Sequence, residues 1–258
     1  MSQVISTHSF RGGTGKSNTT ANLAALTAKA GYRVGVIDTD IQSPGIHVLF
    51  QLGRERIGST LNDYLWGKCA AKDAAYDVSL QALGEQPESD RSRIFLIPSS
   101  IRTGEIARIL REGYDVHRLN EGFQELQQSL ALDYLFIDTH PGVNEETLLS
   151  IAVSDSLILM VRPDQQDFQG TAVTVELARK LEVPDMFMVI NKVPEGTDVS
   201  ALISHVTNIF SVDVAAALPL SIEMAKIASS DLFCNVLPDH PLTKSLRTVV
   251  RRIVHGES

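Results

Sequence analysis

The sequence predicts an α/β domain built on a mostly parallel, twisted sheet with helices on both faces. Three observations carry that reading. Short apolar runs rich in branched and aromatic residues recur along the chain without alternating with polar residues, the pattern of strands buried on both faces. Helix-compatible stretches lie between them, so strand and helix alternate and ligands are expected at the carboxyl ends of the strands. The 258 residues suit one large domain.

In chain order, the apolar runs fall at residues 4–5, 34–37, 94–97, 135–137, 157–161 and 186–190. The first helix is expected over residues 17–30, Ala-rich with Leu23 and Leu26 on one side and Gly31 as its left-handed stop. Further helices are expected over residues 103–110, 119–130, 170–181 and 244–254. The polar, turn-rich residues 84–93 read as an exposed loop. The chain has no internal repeat and no low-complexity segment.

The composition is 43% hydrophobic and 21% charged, which excludes a disordered or collagen-like chain and allows a substantial core. The net charge of −8 excludes a generally basic nucleic-acid coat but permits a local basic patch. Cys69 and Cys234 are far apart and form no CxxC, which argues against a disulfide scaffold or structural zinc and for a reducing compartment. No apolar run approaches the ~18 residues of a membrane span. The N-terminus lacks the basic start and apolar stretch of a signal peptide. A soluble, cytoplasmic protein is expected.

The most specific segment is Phe10-Arg11-Gly12-Gly13-Thr14-Gly15-Lys16-Ser17, which follows the first strand and opens the Ala-rich helix. Glycines let backbone N–H groups turn inward around phosphate oxygens with no Cβ in the way. The helix behind presents free N–H groups and the positive end of its dipole. Lys16 can reach the β- and γ-phosphates, and the Ser17 hydroxyl can ligate Mg²⁺. The alternative is a Gly-rich turn without a ligand. The common GxxxxGK[ST] pattern demands Gly at position 10; this chain has Phe10 there, with Arg11 and a Gly-Gly pair behind it.

Two strands end on acids. Residues 34–37 run into Asp38-Thr39-Asp40, whose carboxylates at i and i+2 can face a bound triphosphate and its metal, or cap a turn. Residues 135–137 run into Asp138-Thr139-His140-Pro141-Gly142. His140 is given no role.

These segments resemble the deviant Walker A family, the ParA/MinD-type ATPases, whose loop reads Lys-Gly-Gly-x-Gly-Lys-[Ser/Thr], followed by an Asp-x-Asp and by a hydrophobic strand ending Asp-Thr-x-Pro-Gly. The resemblance implies a single P-loop NTPase domain over residues 1–258, with ATP and Mg²⁺ as cofactors. Gly12, Gly13, Thr14, Gly15, Lys16, Ser17 and Asn18 would bind ATP. Asp38 would support Lys16 and the metal shell, Asp40 would position the attacking water, and Asp138 would bind Mg²⁺ through water. Arg11 would take the place of the family's signature lysine, which reaches into the partner's nucleotide site in an ATP-sandwich homodimer; its planar fork suits phosphate oxygens. Later matches are less specific: Asp164 with Gly170, Asn191 as the adenine reader, and Pro219 in a loop over the base.

The C-terminal helix, at about residues 243–255, carries Lys244, Arg247, Arg251 and Arg252. Residues 241–258 hold a net charge of +3, against −11 for the rest. Leu242, Leu246, Val249, Val250 and Ile253 mark an apolar face at helical spacing. Three readings stand: a packed helix with a solvated basic face, a face that adds phosphate contacts to DNA once a dimer doubles the charge, or an amphipathic membrane anchor. By resemblance the protein is an ATP-dependent positioning or partitioning ATPase on nucleoid DNA, released by a cargo-linked adaptor, with a carboxysome-positioning (McdA-like) branch in view. A MinD-like membrane regulator, a dethiobiotin-synthetase or cobyrinate-amidating type of ligase, and an iron–sulfur carrier are the competing classes.

Overall fold

The structure, a computed structural model, describes residues 2–85, 89 and 91–256. Residues 86–88 and 90 of the expected loop, and Glu257 of the C-terminal charge count, lie outside the described residues.

The chain opens with β1 (Gln3–His8), α1 (Lys16–Lys29), β2 (Arg33–Asp38), the short α2 (Ile46–Leu49) and α3 (Leu61–Leu65), β3 (Tyr76–Asp77) and α4 (Ser79–Leu83). It continues through β4 (Arg93–Ile97), α5 (Thr103–Glu112), α6 (Val116–Ser129), β5 (Tyr134–Asp138), α7 (Glu145–Ala152) and β6 (Ser156–Val161). It closes with α8 (Gln165–Lys180), β7 (Asp185–Val193), α9 (Val199–Phe210), β8 (Asp213–Pro219), α10 (Ile222–Ile227), α11 (Phe233–Val236) and α12 (Pro241–His255). Among the described residues the eight strands form one sheet in the order β3-β4-β2-β5-β1-β6-β7-β8, parallel except for the β3–β4 pair.

All six expected strands are present, and each core strand is apolar on both sides because helices cover both faces of the sheet. Tyr134, Phe136, Ile158 and Met160 point to one face, against α1 and α12. Leu135 and Ile137 point to the other face with α3 and α6, and Leu157 and Leu159 point there with α8 and α9. Helix α1 is buried nearly all round, from Thr19 to Ala28, which explains its Ala content: small side chains let α12 and the sheet approach it from two sides. Gly31 takes φ 95° just past α1, as its place in the sequence predicts.

The register sets the site. Parallel pairing puts Asp38 of β2 beside Asp138 of β5, and Asp138 beside Thr7 of β1. Three strands therefore deliver their carboxyl ends to one spot, where α1 begins.

Two strands and one long helix fall outside the expected set. Strand β3 has only two residues and is antiparallel. Strand β8 contains Ala215, Ala216 and Ala217, a residue type depleted in strands. Tertiary packing overrides that propensity: β8 pairs with β7, and α12 lies directly over it. Helix α9 packs through Val206 and Phe210 on the far side.

Candidate nucleotide-binding site

The loop from Ser9 to Gly15 joins β1 to α1. Gly15 is the N-cap of α1, at φ 93°, a left-handed value that a side chain rarely adopts. A Cβ there would also strike Asn191 Nδ2. Among the described residues no side chain caps the helix, so its first N–H groups are available to an anion.

A cavity of about 350 Å³ opens above them, lined by Ser9, the residues from Gly12 to Asn18, Asp40, Ser43 and Pro141. A second cavity of about 420 Å³ shares Gly13, Gly15 and Asn18 with the first and continues to Asn191, Leu218, Pro219 and Leu220, with Leu242 and Leu246 of α12 on its wall. The polar half and the apolar half adjoin, as a phosphate tail and a base require. The expected ATP-binding residues line one or both cavities.

Lys16 is buried, and its Nζ donates to Asp138 Oδ1 at 2.9 Å. Asp38 is wholly buried; its Oδ1 accepts from Asp40 N at 3.0 Å and its Oδ2 from Gly45 N at 3.3 Å. Burial, reinforced by Asp138 and Asp40, pushes the Asp38 carboxyl well above the usual range, with Lys16 opposing. Asp40 reaches the cavity; its Oδ1 accepts from Ser43 N at 3.1 Å and meets His140 Nδ1 at 2.7 Å.

Of the further groups that meet the loop, Asn191 is expected from the sequence, whereas the contacts of His8 and Lys192 are not. His8 is buried beneath the loop. Thr139 Oγ1 donates to Thr7 O, so His8 Nδ1 donates to Thr139 Oγ1 at 2.9 Å, and Nε2 has no partner among the described residues. Burial, then Lys16 and His140, lowers its pKa to about 3, so the ring is neutral. Asn191 Nδ2 donates to Thr14 O and Lys192 Nζ to Gly13 O, both at 2.7 Å, which ties the end of β7 to the phosphate loop. Asn191 Oδ1 accepts from Lys192 N, which leaves that amide one donor and one lone pair for a base.

Arg11 lies outside this cluster. Its guanidinium donates to Gln166 Oε1, with Asp167 Oδ1 at 3.9 Å, and its side chain is 42% exposed. Phe10 packs against Gly170 of α8, where a Cβ would collide with the ring. Asp164, expected only as a family match, caps α8 through Asp167 N.

The four cations expected on α12 do not share one face. Lys244, Arg247 and Arg251 are exposed. Arg252 turns inward: its Nη2 donates to Asp185 Oδ1 at 3.1 Å and its guanidinium stacks 4.7 Å from the Phe187 ring. Of the four residues expected as a basic face, Arg252 therefore does not share the outward side of Lys244, Arg247 and Arg251, because positions 244, 247, 251 and 252 span more than one side of a helix.

An uncapped glycine loop, a buried lysine and oxygen donors suit a nucleotide phosphate with a hard cation. No cluster of three or more His, Cys, Asp or Glu among the described residues could hold a metal alone. Ser17 and Asp138 fit the few protein contacts Mg²⁺ needs when phosphate and water supply the rest.

Residues 5–232 match the CobQ/CobB/MinD/ParA nucleotide binding domain. The chain belongs to this family. Among curated relatives, an uncharacterized ATP-binding protein of Methanocaldococcus jannaschii is 27% identical over 98% of this chain and 88% of its own length. An iron–sulfur cluster carrier protein of Methanococcus maripaludis is 28% identical over 72% of this chain and 59% of its own. Among solved structures, MinD of Aquifex aeolicus superposes with a TM-score of 0.81 at 18% identity, covering 100% of this chain and 98% of that one. MinD of Pyrococcus horikoshii, solved with Mg-ADP, gives 0.79 at 18% identity, covering 99% and 97%. McdA of Cyanothece gives 0.76 at 19%, covering 98% and 100%. These superpositions show that the chain shares the fold of the MinD and McdA structures over nearly its whole length.

Proposed function

We propose that this chain is an ATP-dependent positioning or partitioning ATPase. Two copies would close over ATP, bind non-specific nucleoid DNA, and leave it when an adaptor on the cargo stimulates hydrolysis. The cargo is DNA or an intracellular body such as a carboxysome. The observation that carries the DNA assignment is the outward stripe of Lys244, Arg247 and Arg251 on a chain of net charge −8. Two copies would present six such cations, and phosphate contacts add along a duplex.

Within each site the phosphate loop would hold the triphosphate, with Lys16 exchanging Asp138 for phosphate oxygens. Mg²⁺, held by Ser17 and through water by Asp138, would neutralise charge between the β- and γ-phosphates. Asp40 would position the attacking water, and Asp38 would fix the Asp40 main chain through Asp40 N. Arg11 would leave Gln166 to cross the dimer.

The burial of α12 weighs against a membrane anchor. Leu242, Leu246, Val249, Val250 and Ile253 all face α1 and the sheet, so the helix has no apolar face left for a bilayer. The iron–sulfur reading has support in curated relatives but little in the cysteines. Cys69 and Cys234 pack on opposite faces of the sheet, and burial pushes the Cys234 thiol up to about 11. A metabolic ligase would release phosphate only with a small carboxylate substrate and without a partner protein.

The test is binding to non-specific double-stranded DNA with ATP and with ADP, at two salt concentrations. ATP-dependent binding that weakens with salt is expected. No binding under either nucleotide removes DNA from the account. Separately, Asp40→Ala is expected to bind ATP, turn over poorly and accumulate as a dimer.

A further inference from the structure

His140 is the third residue of Asp138-Thr139-His140-Pro141-Gly142, and the sequence gives it no task. The fold brings it across 100 positions of chain to Asp40. Its Nδ1 lies 2.7 Å from Asp40 Oδ1. An ionised carboxylate only accepts, so Nδ1 carries the hydrogen and the contact is a short, charge-assisted bond. Ser43 N donates to the same oxygen at 3.1 Å. Oδ1 is therefore filled from two sides, and no group among the described residues bonds to Oδ2. With Asp40 lining the phosphate cavity, Oδ2 is the oxygen left for a water.

The neighbours of His140 make it more than a surface contact. Its carbonyl lies 3.4 Å from Thr147 Oγ1, at the start of α7, a hydroxyl whose shorter contact is to Asn144 Oδ1 at 2.7 Å. The next residue, Pro141, lines the same cavity as the phosphate loop. His140 thus sits between the start of α7 and the cavity where a terminal phosphate would lie, with Asp40 as the hydrogen-bond partner of its ring.

We propose that His140 is a positioning residue that locks the rotamer of Asp40 so that Oδ2 faces the attacking water. The inference rests on the reading of Asp40 as the water-positioning carboxylate. A side chain that freed Asp40 to rotate would misplace the water by an ångström or more, a displacement that costs about a hundredfold in rate at a reacting centre.

The test is single-turnover phosphate release at saturating ATP, set beside affinity for a fluorescent ADP analogue, in full-length His140→Ala, His140→Asn, His140→Gln and Asp40→Ala proteins. Asn places an amide N–H near the position of Nδ1; Gln places it near Nε2. His140→Ala is expected to slow release by about 10–100-fold with affinity unchanged within about twofold. His140→Asn should restore most of the rate and His140→Gln little of it. The double variant with Asp40→Ala should be no slower than Asp40→Ala alone, since one residue acts through the other. Normal turnover in His140→Ala, or equal rescue by Asn and Gln, overturns the proposal. A loss of affinity in parallel with rate also overturns it, as the mark of a merely structural role. Normal turnover in Asp40→Ala instead overturns the reading of Asp40 itself, so the two failures are distinguishable.

Discussion

At the carboxyl ends of β1, β2 and β5 the charged groups are buried against one another, whereas on α12 three of the four cations stand in water. In the first region burial raises the Asp38 pKa, Asp138 and Asp40 add to that, and Lys16 opposes it. Removing one charge there leaves another without its partner in a low-dielectric site, which is costly. On α12 the apolar residues hold the helix and the cations are attached to an already packed rod. The comparison teaches that a charge essential for folding and a charge useful for binding can be told apart by what surrounds them.

The contrast is broken most severely at Lys16. Lys16→Met is expected to abolish ATP binding and lower unfolding stability by about 3 kcal/mol at neutral pH, read by nucleotide titration and urea denaturation. Unchanged stability would mean that the two carboxylates do not depend on the lysine. Next comes Gly170→Ala, where the new methyl group meets the Phe10 ring; a loss of about 1–3 kcal/mol is expected in the same denaturation experiment.

His8 gives a pH signature. Its folded pKa is depressed from 6.5 to about 3, so the unfolded chain takes up a proton that the folded one refuses. That contribution is complete above pH 6.5 and is lost as pH falls toward 3, at about 1.4 kcal/mol per pH unit. Denaturation at pH 7, 6 and 5 should show a shallower decline in His8→Asn than in the parent. Identical slopes would remove His8 from the account.

The smallest effects lie on α12 and sharpen the comparison. Arg252→Ala should cost about 1–2 kcal/mol, through Asp185 and Phe187, and leave DNA binding unchanged. Arg247→Ala should leave stability within about 0.5 kcal/mol and reduce the salt dependence of DNA binding by about one ion. Equal behaviour of the two arginines would erase the distinction between the inward and outward faces.

Much of this architecture is legible in the sequence because it is local. The phosphate loop is one contiguous segment with its strand before it and its helix behind, and the apolar runs mark strands wherever the sheet is covered on both faces. What the sequence hides is set by distance along the chain. Asp40 with His140, His8 with Thr139, and Lys192 with Gly13 each join residues more than 99 positions apart, and no spacing rule reaches that far. Strand β8 is hidden for another reason: its alanines favour helix, and only the strand and helix packed on it decide otherwise.

The contact between Phe10 and Gly170 also makes the choice at one position depend on the other. While position 10 holds an aromatic ring, a side chain at position 170 is penalised, since even a methyl group overlaps that ring unless the ring shifts. A smaller residue at position 10 would remove that overlap. The two positions are therefore coupled: the cost of Gly170→Ala is expected to fall when residue 10 is smaller, and the two substitutions should not be additive.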